Sequence, residues 1–566
     1  MSPGALVLAA GQTDLRLDAS PLDYVLVAFY FVLVLGIGFL ARRSVSSSLD
    51  FLLSGRSMPA WVTGLAFISA NLGALELIGM TANGAQYGIP TAHYYWIGAV
   101  PAMVFLGIVM MPFYYGSGVR SVPEFLLKRF NKTTQRVNAL VFALASILIA
   151  GVNLFALGLI LEALLGWPLP VAIPVAALVV LAYTTLGGLS AAIYNEVLQF
   201  FVILALLIPL TIAGLHRLGG WDGLKEKVSA GPGGAEQLSS WPGTPITEIQ
   251  SPLLSVIGIV FGLGFVLSFG YWTTNFAEVQ RALSAKSMSA ARRTPIIGAY
   301  PKALIPLVIV IPGMVAAVLV PQLSALKAHQ PTDVTFNNTL SLLMKEVLPN
   351  GALGVAIAGL LAAFMAGMAA NISSFNTVFT YDLWQDWARP GRPDAYYLKV
   401  GRTVTVVGCL LAVGTAVIAS GSQNLMDYIQ SLFSFFNAPL FAIFILGLFW
   451  KRMTPTSAWI GLLSGTVAAV VVDVLRREGV LHVSSQAGSF IGASAAFVVG
   501  IGVSVAVSMV TKPKPAEELR GLVWGLTPKA DRSHTVTGAD AGWYRSPSLL
   551  GGGVLVLTVA LYLVFA

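Results

Sequence analysis

Fourteen apolar stretches, each long enough to cross a hydrocarbon core of about 30 Å, run the length of this 566-residue chain. They fall at 22–41, 60–82, 90–115, 134–163, 167–186, 190–215, 252–278, 296–320, 351–381, 400–420, 426–450, 455–474, 486–510 and 547–566, and are numbered helix 0 to helix 13. Lipid offers no partner to a backbone amide or carbonyl, so such segments must satisfy themselves as helices. Only 10% of the residues are charged, against about 25% in soluble domains. The pattern predicts an all-α integral membrane protein of about fourteen transmembrane helices.

Helix 1 is interrupted by its own sequence. Within 65–84, Ser69, Asn71, Gly73 and Gly79 loosen a helix whose centre carries Glu76. A charge at that depth costs about 2.5–3.5 kcal/mol on insertion scales and persists only where it faces protein or water. Irregular backbone there is tolerated only where it lines a cavity. Together they point to a polar binding site inside the bundle. A second glycine-loosened stretch, 262–272, opens helix 6. Paired interruptions in matching places of two halves are the sequence mark of an inverted-repeat secondary transporter with a midplane site. Helices 1–5 and 6–10 are then the two repeats.

Charge gives the orientation. With the N-terminus outside, the seven cytoplasmic connections hold 23 of the 33 Lys and Arg residues, while the tail and outside connections hold eight. Basic loops stay on the cytoplasmic side, so the +8 net charge reports topology and calls for no nucleic acid. The predicted organisation is an extracellular tail (1–21), a leading helix and cytoplasmic loop (22–59), a first repeat (60–216), an extracellular loop (217–251), a second repeat (252–450), and accessory helices 11–13 (451–566) with a cytoplasmic loop at 511–546. Both termini are expected outside a plasma membrane. A single cysteine, Cys409, excludes an internal disulfide and a cysteine metal cluster. The N-terminus lacks the basic region of a signal peptide.

No phosphate-binding loop, zinc motif or nucleophile elbow appears, so neither an enzyme nor an ATP-driven pump is expected. A gradient must supply the drive. An ion channel is not favoured, since no ring of filter residues repeats.

Six stretches carry a family likeness: 51–61 (FLLSGRSMPAW), 122–131 (VPEFLLKRFN), 187–199 (GGLSAAIYNEVLQ), 280–287 (QRALSAKS), 377–384 (TVFTYDLW) and 444–452 (FILGLFWKR). In them the chain resembles the solute:sodium symporter family, and within it the sodium/sugar cotransporter branch. That likeness implies a LeuT-like five-plus-five inverted repeat with discontinuous helices 1 and 6. It implies that Tyr271, with Trp272, lies across the solute as an inner gate, and that Lys302 on helix 7 and Gln430 on helix 10 bind it. Where the family has Gln on helix 1, Glu on helix 2 and Asn on helix 6, this chain has Glu76, Tyr95 and Ser268. Met80 completes the expected substrate set. The acceptors survive in altered geometry, which suits a small polyhydroxylated solute, a monosaccharide or polyol.

The same likeness implies a sodium site between helix 1 (Ser69, Leu72) and helix 8 (Ala363, Ala366, Gly367). The family's paired helix 8 serines fall on Ala366 and Gly367, so two hard oxygens are missing. Ser373 and Ser374 lie about 10 Å further along a helix. The helix 5 acid on the ion's path is kept as Glu196. Sodium is therefore the expected co-substrate, no cofactor is expected, and proton coupling through Glu76, uncoupled movement and a solute-sensing role stay open. A Glu76–Lys302 pairing would satisfy both charges. Ala358, Ala362, Ala366 and Ala370 form a small-residue stripe for close helix packing, and His93 is expected to be a satisfied polar residue.

Overall fold

The computed structural model describes residues 18–41, 46–73, 75–249, 251–420, 425–528 and 542–566. Most of the predicted N-terminal tail (1–17) and residues 529–541 of the predicted loop lie outside that set. The described residues form helices and turns, with one isolated bridge between Met58 and Ala285 and no strand. Twelve helices among them are long and apolar enough to cross a membrane, and a bent pair, Ala60–Asn71 with Glu76–Tyr87, makes thirteen. The expected helix 4 is the exception to the count of fourteen. Its apolar core is Leu169–Ala182, about 21 Å at 1.5 Å per residue, and the chain turns at Gly188 (φ 55°, ψ −145°) into Gly188–Leu218, helix 5. A Cβ on Gly188 would lie 2.4 Å from the Phe51 carbonyl oxygen, so glycine alone permits that turn.

Helix 1 breaks where its glycine and polar residues predict. Ala60–Asn71 ends at Leu72 (φ −75°, ψ 47°), and the two halves meet at 63°. A wide π-helical turn, Leu75–Met80, carries Glu76 before helix Thr81–Tyr87 resumes. The Glu76 amide donates to Gly73 O (3.1 Å), one residue short of the helical partner Leu72 O. That mismatch releases the Leu72 carbonyl from the ladder.

Helix 6 behaves differently. The 262–272 stretch does not fracture; it widens into π-helical turns over Gly258–Ser268 and continues as Phe269–Thr274. The interruption lies at Asn275 (ψ 112°), whose side chain accepts the Ala277 amide at 3.0 Å and starts a new helix, Phe276–Leu283. Glycines widen the turn by removing bulk, while the Asn cap ends it.

Helix 7 (Met288–Leu319) crosses beside helix 1 with four internal prolines. Helix 8 (Ala352–Val378) is buried along nearly its whole length against helices 3 (Lys132–Leu165) and 5. Its alanine stripe is fully packed, and a Cβ on Gly359 would meet Leu206 of helix 5 at 2.7 Å. Asp23 of helix 0 (Pro21–Ala41) accepts the Gly351 and Gly354 amides at 2.8 and 2.5 Å, capping helix 8 from another span.

Candidate functional site

The helix 1 break turns Glu76 toward helix 7. Its Oε1 accepts a hydrogen bond from Lys302 Nζ at 2.5 Å, and its Oε2 accepts one from the Tyr95 hydroxyl at 2.6 Å. Lys302 also donates to Asn71 Oδ1 at 2.5 Å. Its ammonium lies 4.7 Å from the Tyr95 ring centre and 5.3 Å from that of Trp272, within cation–π range. Glu76 and Lys302 are 3% and 2% exposed. Leaving either buried charge without the other would cost several kcal/mol, so the pair and its neutral partners form one unit. The pairing anticipated from sequence is present.

This cluster forms one wall of a cavity of about 40 Å³, room for about three waters at the ~10–15 Å³ each requires. A monosaccharide is larger, so admitting one requires the walls to part. Glu76, Met80, Ser268, Tyr271, Trp272, Lys302 and Gln430 all line it. Tyr95 stands one layer back, its hydroxyl spent on Glu76. Gln430, on helix 10 (Leu425–Phe449), faces the cavity with its amide 3.8 Å from Met426 Sδ. Tyr271 closes one side. Its hydroxyl accepts from Asn71 Nδ2 (2.9 Å) and donates to Glu278 Oε1 (2.7 Å), and its ring packs 4.6 Å from that of Phe433. Trp272 stacks on Phe67 at 5.6 Å.

The expected ion locus lies between the helix 1 break and helix 8. Ser69, Leu72, Ala363, Ala366 and Gly367 are all buried there, and the Ser69 hydroxyl has no hydrogen-bond partner among the described residues. A third element enters. A Cβ on either Gly73 or Gly367 would fall 2.4 Å from Asn153 Oδ1 of helix 3. The Asn153 amide oxygen thus sits where a side chain at position 367 would begin. Glu196 is held in a buried, two-pronged pair with Arg281: Nε to Oε2 is 3.2 Å, and Nη2 bonds Oε1.

His93 is satisfied on both sides, by the Tyr562 hydroxyl (2.8 Å) and Ser240 O (2.7 Å). Among the described residues no group of three or more His, Cys, Asp or Glu side chains could hold a metal ion.

The profile of the sodium:solute symporter family matches residues 51–465. The chain belongs to this family. Among curated proteins it is 31% identical to a sodium/glucose cotransporter of Vibrio parahaemolyticus, covering 82% of this chain and 87% of that one. It is 28% identical to a sodium/myo-inositol cotransporter 2 of Oryctolagus cuniculus, over 89% of this chain and 79% of that one. Among solved structures, the substrate-bound outward-open state of a Na⁺-coupled sialic acid symporter superposes with a TM-score of 0.72 at 20% identity, covering 87% and 99% of the two chains. The fold is that of the LeuT-type transporters, built on a multi-pass membrane bundle.

Several residues of this symporter's cavity escape sequence reasoning. Asn71, Tyr94, Leu263, Leu267 and Phe433 line it as well. Asn71 reads as a helix loosener, yet the break swings it onto Lys302 and Tyr271. Asn153 is one amide in the middle of a long apolar helix, and only the closeness of two glycines from other helices marks it. Glu278 lies just before a basic connection, where an acid reads as solvent-facing, but it is 3% exposed.

Proposed function

We propose that the protein imports a small polyhydroxylated solute, a monosaccharide or polyol, by symport with sodium across the plasma membrane, with both termini outside. The observation that carries this reading is the Glu76–Lys302 pair on the cavity wall, flanked by Gln430 and Ser268. Adjacent hydroxyls of a neutral solute can donate to Glu76 and accept from Lys302 while bringing no charge of their own. A solute lacking the right hydroxyl would leave buried polar groups unpaired, a heavy discrimination. The family and its glucose and inositol cotransporter relatives support the same class.

In this reading the repeats 60–216 and 252–450 rock about the fixed site, and Tyr271 swings aside for inward release. Sodium is held by the Ser69 hydroxyl and by the Leu72 and Ala363 carbonyls. Asn153 Oδ1 supplies the oxygen that Ala366 and Gly367 cannot. An amide oxygen has two lone pairs, so it can ligate an ion while accepting a hydrogen bond, and hard oxygens are what an alkali cation requires.

Uptake of D-glucose, D-galactose and myo-inositol into liposomes, under separate sodium and proton gradients, tests the proposal. Accumulation of at least one of them should require inward-directed sodium. Accumulation that persists without sodium would overturn the coupling, and failure of all three would overturn the solute class.

A further inference from the structure

Five buried ionisable side chains lie along one run of contacts. Glu76 pairs with Lys302, and Arg281 pairs with Glu196. Between them sits Glu278, reached from Lys302 through Asn71 and the Tyr271 hydroxyl. Three carboxylates thus share two cations, and both cations are committed elsewhere. Arg281, three residues beyond Glu278 on the same helix, also donates through Nη1 to Ala277 O and Gln280 Oε1. Among the described residues Glu278 keeps one bond, from Tyr271, while its Oε2 is buried without a partner. The charged groups that act on it are Arg281 on its own helix, Lys302 from helix 7 and Glu196 from helix 5. The neighbouring segment Met111–Gly116 brings Tyr114, whose hydroxyl is taken by Thr273 O at 2.9 Å.

An isolated carboxylate buried in this way carries a penalty of several kcal/mol unless a cation joins it. A sodium ion needs several oxygens converging on one point. Here only Oε2 is open, and a guanidinium is close by. A proton needs one atom.

We propose that Glu278 is a proton-binding site, protonated while Tyr271 closes the cavity and releasing its proton when that gate opens. The proton would sit on Oε2, leaving Oε1 to accept from Tyr271. When Tyr271 swings away, the carboxyl loses its packing partner, meets water, and ionises. The inference rests on the inner-gate reading of Tyr271 but not on the identity of the solute or the coupling ion.

Infrared titration of the purified full-length protein tests it without any solute. The native chain should show a protonated-carboxyl band that is lost in Glu278→Gln and kept in Glu76→Gln. A band unchanged in Glu278→Gln would overturn the site. Tyr271→Phe removes the hydroxyl that favours the charged form, so it should move the band's titration upward by about one pH unit or more. That variant leaves Glu278 itself in place, so it remains informative should the Gln variant fold poorly. A titration that does not move in Tyr271→Phe would overturn the link to the gate while leaving solute transport untouched.

Discussion

A lysine and a glutamate 2.5 Å apart and buried in the bundle set how every other group there can behave. Glu76→Gln leaves the Lys302 ammonium buried against an amide, and loss of one partner of a buried pair costs about 3–5 kcal/mol. Removing both charges costs less, since no uncompensated ion remains. Thermal unfolding in detergent should therefore rank native first, Glu76→Gln/Lys302→Gln second and Glu76→Gln last. A single variant as stable as the native chain would show that the pair does not hold the site. Both charges were legible in the sequence because an ionisable residue in an apolar helix stands out. Asn71 and Glu278 were not, because their meaning depends on where a broken backbone points them. A helical wheel drawn through 65–84 continues past Leu72 as though nothing happened there.

At the scale of elements, helix 1 broke where Ser69, Asn71 and Gly73 weaken it, whereas the 262–272 glycines only widened helix 6. The difference is a matter of partners. At the helix 1 break Lys302 takes the Asn71 side chain and Asn153 Oδ1 fills the space beside Gly73, while helix 6 runs on to the Asn275 cap. Helix 8 gives a related lesson. Alignment alone reads Ala366 and Gly367 as lost ligands, but space at Gly367 is already filled by an oxygen from helix 3. Adding back the hydroxyl is then expected to harm. Gly367→Ser forces a Cβ to within 2.4 Å of Asn153 Oδ1, and overpacking of this kind costs about 1–3 kcal/mol. Shortening the intruder in Asn153→Ala/Gly367→Ser should return part of that stability. It should also restore thermal stabilisation by sodium chloride over choline chloride, which Asn153→Ala alone should lose. Equal sodium stabilisation in native and Asn153→Ala protein would remove Asn153 from the ion site.

For the molecule as a whole, transport requires both ends of the bundle to open in turn, so contacts that tie separate elements together at one end are the ones to perturb. Lys327, on the helix Pro321–Lys327 that follows helix 7, is such a tie. Its ammonium donates to Ala85 O (2.7 Å), at the end of helix 1, and to Gln237 Oε1 of the long loop between helices 5 and 6. Gln237 in turn donates to Gln86 O at 2.8 Å. Burial brings the Lys327 ammonium down from an ordinary 10.5 to about 8. The sign follows from proton counting. Between about pH 8 and 10.5 the unfolded chain still binds this proton and the folded chain does not, so stability rises with pH across that window. Below pH 8 the full cost of burying the charge is present. With partial exposure allowed for, the rise amounts to roughly 1–3 kcal/mol. Lys327→Met, which keeps the stem and drops the charge, should flatten this part of the stability–pH curve and gain stability at pH 7. It should also loosen the loop from helix 1, read as faster hydrogen exchange around Gln237. If the native curve is already flat from pH 8 to 10.5, or if the Met variant reproduces its slope, the ammonium is not the group that feels burial at this end of the transporter.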